Sequence, residues 1–346
     1  MAVLNYATNS PRIGKFRAEI LEHSVPREVL GIVGKQYQFQ ENQSDTLVFR
    51  RWLPYGGATT NATTINQWSV TPSAHQVSEG TPVTPDVITP QDITVQMNQY
   101  MCLYQYSDKT AMLYEDDAPA EMKKQTGQRM ALLREKIRYG AYQGCTNKFY
   151  SGGTSRATVD QTVGLNFVQK ISQNLMGNRG DMITSVLSAS PNYGTSAVEA
   201  GFLVFCHTDC EYDIRAIPGF KSCAEYGSRK QMHPLELGSV NRFRFIVSPE
   251  LTPIIDSGAA VAGLGLKSTT GTLADVYPFL VFAEDAVGDI SLRGMNSFQE
   301  IWLPHNKPDK SDPGGQKGYV GATFWSAAFV QNDGWMAVGE CAATAL

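Results

Sequence analysis

The segment at residues 54–90 constrains the fold most, because its composition is unsuited to a helix or to the centre of a sheet. It contains five prolines and eight threonines but only two charged residues, Glu79 and Asp86. Threonine favours extended backbone, and proline interrupts both helices and sheet ladders. Strand-like runs bracket the segment at residues 46–50 and 92–98. The pattern predicts a long β projection, which we call the excursion.

A loop of this length is uncommon within a compact domain and indicates a functional projection. Folded as a hairpin with legs of about 15 residues, it would reach about 50 Å at ~3.3 Å per residue. A disordered linker is the alternative interpretation. Residues 1–46 are also polar, with interleaved charges and a short helix predicted around residues 25–33. We interpret them as an arm that lies on another surface, with a floppy terminus as the alternative.

The clearest helix is predicted over residues 118–143. Glu115, Asp116 and Asp117 provide an N-cap and place favourable charge at the positive end of the helix dipole. Apolar residues such as Met122 and Met130 recur at helical spacing, and Gly144 ends the helix. The other face is basic and carries Lys123, Lys124, Arg129, Arg134, Lys136 and Arg138. A basic face could bind nucleic acid, but the more ordinary interpretation is a face exposed to solvent or to a protein partner.

An alternation of strands and helices begins near residue 200. Strands are predicted at residues 202–206, 242–247 and 277–282, and a helix is predicted to start at Thr208 or Asp209. The sequence Asn-Asp-Gly at residues 332–334 is a typical hairpin turn, so residues 319–340 are predicted to form a hairpin. With 346 residues, the chain is expected to form about two domains or lobes.

The charge balance argues against an electrostatic nucleic-acid binder. The net charge is −4 and only 18% of residues are charged, which indicates large uncharged surfaces. The N-terminus lacks the apolar core of a secretory signal, and no apolar run reaches the ~20 residues of a membrane helix. We therefore expect a chain made in the cytosol, with reduced cysteines and no membrane partner.

No catalytic, cofactor-binding or metal-binding residues are predicted. Residues 31–36 fall short of a phosphate loop, and the GxSxG and HExxH motifs are absent. Cys206 and Cys210 flank His207, but no second pair follows at zinc-site spacing, so we interpret them as structural thiols. A hydrolase with Cys206 as nucleophile and His233 as base is the enzymatic hypothesis. The apolar run around Cys206 favours a buried, unreactive thiol instead.

A string of short motifs runs through the last third of the chain in a fixed order. They are HTD at 207–209, DIR at 213–215, PGF at 218–220, ELGSV at 236–240, FRF at 243–245, DVYP at 275–278, LVF at 280–282 and DP at 312–313. Over roughly residues 200–340, their joint order resembles the major capsid proteins of short-tailed phages, which share the Hong Kong 97-type capsid fold. One departure is the pair Asn241 and Arg242, where a glycine is typical before the Phe-Arg-Phe strand.

The resemblance implies an α+β fold with five parts: an N-terminal arm (1–46), an extended β-hairpin loop (47–106), a peripheral domain (107–200) with its spine helix at 118–143, an axial α/β domain (201–305) and a C-terminal return to the peripheral domain (306–346). It implies a major capsid protein without catalysis. Such a protein self-assembles, as hexamers and pentamers, into an icosahedral shell around double-stranded DNA, without sequence-specific binding. Its implied partners are a separate scaffolding protein, a portal and a decoration protein. Its implied location is the virion, assembled in the host bacterial cytoplasm.

Six residues are predicted to contact neighbouring subunits: Trp52, Ile65, Trp68, Val70, Lys123 and Arg134. The first four are apolar residues on or beside the excursion, which has too few such residues to bury them within itself. Tryptophan is a typical anchor of protein interfaces. The last two lie on the basic face of the predicted helix. A second hypothesis is a phage surface or tail adhesion module, since β-rich Thr/Gly sequence can present ligand loops.

Overall fold

The computed structural model describes the chain apart from residues 1–27, 41–43, 57–65, 81–84, 115–116, 188–194, 226–230, 262, 293–298 and 309. Helices and strands are numbered in chain order. The helices are α1 (Asp108–Leu113), α2 (Ala118–Gln143), α3 (Leu165–Gly177) and α4 (Glu211–Arg215). The strands are β1 (Lys35–Phe39), β2 (Thr46–Trp52), β3 (Pro90–Gln96), β4 (Asn98–Ser107), β5 (Lys148–Tyr150), β6 (Ile183–Leu187), β7 (Thr195–Cys206), β8 (Lys221–Ser222), β9 (Glu236–Val240), β10 (Phe243–Val247), β11 (Tyr277–Phe282), β12 (Val287–Leu292), β13 (Gln299–Leu303), β14 (Lys317–Val330) and β15 (Met336–Cys341).

Helix α2 covers one face of a five-stranded sheet. The strand order is β1-β12-β14-β13, with β4 also paired to β14. Met130 of α2 packs with Cys102, Ala322 and Phe324 of the sheet. The bounds of α2 confirm the predicted helix, and its N-cap is Asp117, whose side chain accepts a hydrogen bond from the backbone N–H of Ala120. At ~1.5 Å per residue this helix is about 39 Å long.

An eight-stranded sheet forms the larger core. Its order is β5-β15-β11-β7-β10-β9-β8, with β6 paired to β7. Every residue of β11 and β15 is buried, as predicted for residues 277–282. Ile171 of α3 and Ile214 of α4 belong to the cluster on one face, while Tyr139 and Tyr142 of α2 belong to the cluster on the other. Helix α2 therefore contributes to the cores of both sheets.

The turn between β9 and β10 accommodates the departure noted at Asn241. This residue has a φ of +51°, which is the left-handed region that glycine enters freely. Asparagine is one of the few other residues that visit this region readily. The strands on either side pair as an antiparallel ladder.

The root of the excursion is a two-stranded ladder of β2 and β3, seven residues on each side. It continues through a hydrogen bond from the N–H of Leu53 to the carbonyl of Thr89. This ladder spans about 23 Å at ~3.3 Å per residue and flanks the excursion. The described residues 54–56, 66–80 and 85–89 form no strand, so the predicted hairpin with legs of about 15 residues is not formed there, and residues 57–65 and 81–84 lie outside the described residues. Pro54 carries no N–H donor and follows the last paired position on its strand. The next regular element in the described residues is a 3₁₀ turn at Pro72–His75.

The predicted hairpin at residues 319–340 is wrong. The turn itself exists, because Trp335 donates its N–H to the carbonyl of Asn332. However, β14 pairs with β4, β12 and β13, whereas β15 pairs with β5 and β11 of the other sheet. The turn thus directs the chain from one sheet to the other.

Residues 28–39 of the predicted N-terminal arm, which we call the N-terminal segment, are built into this subunit. Val29 and Leu30 are fully buried, and β1 pairs in parallel with β12. Of the helix predicted around residues 25–33, the described part contains a 3₁₀ turn at Leu30–Ile32, and the remainder lies outside the described residues.

The five-part domain division stays a prediction. Strands β12 and β13 fall in the range 201–305 but pair with β14, which falls in the range 306–346. The sheet under α2 therefore joins residues from both ranges.

Candidate subunit interface

The excursion and its root expose a group of large apolar side chains. Trp52 is 60% exposed, Trp68 58% and Val70 57%. Val77, Val87 and Ile88 are exposed as well, while the predicted contact at residue 65 lies outside the described residues. Large exposed apolar areas on a soluble protein mark surfaces that meet another molecule. These side chains are the candidate interface.

The β2–β3 root has an inner and an outer face. On the inner face, the ring of Phe49 lies 4.8 Å from that of Phe329 and 5.0 Å from that of Tyr37. Alternation along the strand places Val48 and Trp52 on the outer face, where both are more than half exposed. The inner face fixes the root on its own subunit and leaves the outer face available.

A side-chain amide pair ties the excursion to the turn between the two sheets. The amides of Asn66 and Asn332 each donate to the other's oxygen, at 3.0 and 3.1 Å. Arg179 also donates to the carbonyl of Asn66, at 3.2 Å. No sequence signal predicts this attachment, because nothing in the sequence relates two asparagines 266 positions apart. The excursion is therefore fixed to its own subunit near its middle as well as at its root.

The two predicted basic contacts already have partners within the subunit. Lys123 is 61% exposed and lies 2.7 Å from a carboxylate oxygen of Glu300. Arg134 binds both oxygens of Glu28 from the N-terminal segment, at 3.0 and 2.8 Å. The basic face of α2 is thus partly neutralised by its own subunit.

Arg138 is the centre of a buried polar network that no sequence signal predicts either. Its guanidinium contacts Glu28 and donates to Asp289 of β12 at 2.7 Å. Tyr142 and Gln36 donate to the same Asp289 carboxylate, each at 3.1 Å. We call the charged residues at this junction the anchor cluster: Glu28, Arg134, Glu135, Arg138 and Asp289. It joins the N-terminal segment, α2 and β12.

Glycines at two positions allow this close approach. A Cβ on residue 34 would lie 2.9 Å from the Asp289 carboxylate, and one on residue 31 would lie 3.0 Å from the Arg138 guanidinium. Both distances are below ordinary van der Waals contact, so a side chain at either position would force the segment away from the cluster.

Comparison with known proteins identifies the fold. No family model matches the chain. The major capsid protein of Pseudomonas phage KPP21 is 19% identical over 206 residues, which cover 55% of this chain and 52% of that protein. The chain thus matches about half the length of this curated relative.

Solved structures match nearly the whole chain. The capsid of Ralstonia phage GP4 aligns over 96% of both chains with a TM-score of 0.65 and 11% identity. The capsid of cyanophage Pam1 aligns over 99% of this chain and 98% of its own, with a TM-score of 0.58 and 14% identity. The head of Helicobacter pylori phage KHP40 aligns over 99% and 97%, with a TM-score of 0.58 and 12% identity. The chain has the tailed-phage capsid fold. The α+β class and the capsid fold inferred from the motif order are confirmed.

Within this capsid fold, the thiol of Cys206 is inaccessible. Its side chain is fully buried, and burial raises the pKa of the thiol well above its ordinary value. A nucleophilic thiol must be ionised and reachable, and neither condition holds here. Cys210 and Cys341 are buried beside it, with 1% and 0% exposure. The hydrolase hypothesis therefore has no support from the geometry.

We expect thiol labelling to reflect this burial. In the native protein, iodoacetamide should modify Cys223, which is partly exposed, and leave Cys206, Cys210 and Cys341 unmodified. In denaturant all six cysteines should react. Peptide mass spectrometry measures each site, and rapid native labelling of Cys206 would contradict the assignment.

Over the described residues, no group of three or more His, Cys, Asp or Glu side chains is arranged to hold a metal ion. In the same part of the chain, no helix is long and apolar enough to cross a membrane.

Proposed function

We propose that this chain is the major capsid protein of a tailed phage, with a structural role and no catalysis. Copies of the chain assemble as hexamers and pentamers into an icosahedral shell around double-stranded DNA. The observation that carries the proposal is the near-complete alignment with a phage capsid, over 96% of both chains at a TM-score of 0.65. An adhesion module is not favoured, since the aligned proteins are capsid and head proteins along almost their whole length.

The excursion supplies the proposed contacts between subunits. Trp52, Trp68 and Val70 would lie on a neighbouring copy and lose their exposed surface, and residue 65 belongs to the same segment. Burial of apolar side chains stabilises by about 25 cal/mol per Å² removed from water. Each contact can be individually weak, because a closed shell engages every subunit with several neighbours at once.

The two basic residues would contribute at the edge of such a contact. Lys123 keeps 61% of its side chain exposed and Arg134 keeps 34%, despite their ion pairs. Exposed charges of this kind influence the specificity and rate of association more than its strength.

A separate scaffolding protein, a portal and a decoration protein are the proposed partners, and the virion, assembled in the host cytoplasm, is the proposed location. The enclosed DNA needs no sequence-specific contact. A net charge of −4 suits a wall that surrounds DNA without binding it through phosphate neutralisation.

Assembly size tests the proposal. Light scattering and sedimentation of the purified chain, alone and with a scaffolding protein, should show capsomers or closed shells. Stable monomers under both conditions and at high concentration would overturn it.

A further inference from the structure

The carboxylate of Glu135 lies buried at the contact between α2 and the N-terminal segment. Glu135 is only 1% exposed. One of its oxygens accepts hydrogen bonds from the backbone N–H groups of Val29 and Leu30, both at 3.1 Å, and the other lies 3.3 Å from the N–H of Leu30. These are the N–H groups at the start of the 3₁₀ turn at Leu30–Ile32. The carboxyl group therefore holds the segment by its backbone.

The charges of the anchor cluster do not balance. Its five residues carry three carboxylates and two guanidiniums. Arg134 attracts the Glu135 carboxylate electrostatically, but the ion pairs of Arg134 and Arg138 go to Glu28 and Asp289. Glu135 is held by neutral N–H donors instead. An ionised carboxylate is costly in such a site, and the backbone N–H donors of Val29 and Leu30 offset only part of that cost.

The surroundings of Glu135 add one acid, Glu250, and one cation, Lys136, to the charges of the anchor cluster. The N-terminal segment presents Glu28, β12 presents Asp289, and the loop after β10 presents Glu250. Helix α2 itself presents Arg134, Lys136, Arg138 and Tyr142 at this junction, and the Lys136 ammonium donates to the carbonyl of Glu250. None of these groups is a histidine.

We propose that Glu135 is a proton-dependent clasp: the docked N-terminal segment takes up one proton at this carboxyl, and acidification tightens the segment on α2. This device goes beyond the proposed shell function and does not depend on it. A neutral carboxyl keeps a carbonyl oxygen for the N–H groups of Val29 and Leu30 while removing the uncompensated buried charge.

The pKa of Glu135 is shifted upward, in the direction that favours the neutral carboxyl group of the proposal. Burial is the main cause of a pKa raised to about 7; the neighbouring Asp289 and Glu250 carboxylates also act upward, and the two backbone hydrogen bonds act downward. An undocked segment would leave this carboxyl in water with an ordinary pKa of about 4.3. The docked state then holds the proton more tightly, so docking strengthens as pH falls through about 7 and levels off near the ordinary value.

Hydrogen exchange of the unassembled full-length chain measures this effect. Protection factors of the Val29 and Leu30 amides, corrected for the intrinsic pH dependence of exchange, should rise roughly 10- to 50-fold between pH 8 and pH 5.5. The amides of β11, at the centre of the other sheet, serve as an internal reference and should change much less. Protection that stays constant or falls on acidification would overturn the proposal.

The variant Glu135→Gln separates this carboxyl from other titrating groups. It keeps the shape and the carbonyl oxygen but carries no charge, so protection of residues 29 and 30 should become independent of pH between 5.5 and 8. Glu284→Gln, at an exposed glutamate, is the matched control and should keep the wild-type pH dependence. If Glu135→Gln retains that dependence, another group is responsible and the clasp is refuted. The wild-type measurement decides the question even if the variant does not fold, and it is unaffected by whether shells form.

Discussion

Replacing residues 56–88 with a short turn should leave a folded subunit that no longer builds stable shells. The described part of the replaced segment exposes Trp68, Val70 and Val77, so it adds little to the core of its own subunit. The β2–β3 ladder and the inner-face contact of Phe49 with Phe329 remain in the variant. Loop-closure entropy grows slowly with length, so a shorter connection does not disfavour folding. Circular dichroism should therefore be close to wild type while sedimentation shows subunits or capsomers only.

A single substitution tests whether an exposed aromatic residue of the excursion, and not only the excursion as a whole, contributes to assembly. Trp68→Ala should lower the temperature at which assembled shells dissociate, with little change in the unfolding of the free subunit. Val48→Ala, on the outer face of the root, tests how far the contact surface extends. Normal shells from the deletion variant would show that the excursion is not an assembly element.

Arg138→Met should destabilise the subunit by about 3–5 kcal/mol, the usual result when one partner of a buried ion pair is removed. The arginine side chain is 7% exposed, and its loss leaves the equally buried Asp289 carboxylate without its cation. Glu28 keeps Arg134 as a partner, so the damage should concentrate at the junction of α2 and β12. The denaturant midpoint of the unassembled subunit measures the change.

Lys123→Met on the same helix is the matched control. Its ion pair with Glu300 is exposed on both sides, 61% and 49%, and exposed pairs contribute about 0–1 kcal/mol. The two variants remove one cation each from α2, so burial is the main difference between them. Equal losses of stability, or a larger loss for Lys123→Met, would refute the assigned role of the anchor cluster.

Local signals in the sequence were sufficient for the elements that depend on local chemistry. Helix α2 was predicted with its observed bounds, because an aspartate cap, an apolar stripe and a terminal glycine all lie within or beside it. Strand β11 was predicted because its continuous apolar run matches burial on both faces. The motif order led to the capsid fold, although each motif is short.

The failures concern pairings between distant segments. The Asn-Asp-Gly turn was recognised, but its flanking strands pair with partners that no turn signal can specify. The anchor cluster joins residues 106 and 151 positions apart. From the spacing along α2, Arg134 and Arg138 are indistinguishable from the other residues of its basic face. Their acidic partners, Glu28 and Asp289, lie in other elements, so the sequence does not reveal the ion pairs. The contact residues proposed on the excursion stay a prediction, since they concern a second copy of the chain.

Electron microscopy of the purified full-length chain, prepared alone and with a scaffolding protein, tests the central claim most directly. The account predicts closed particles of uniform diameter, with walls built from rings of five and six copies and the excursion of each copy lying on a neighbour. Monomers or irregular aggregates alone, in the presence of a scaffolding protein, would contradict it.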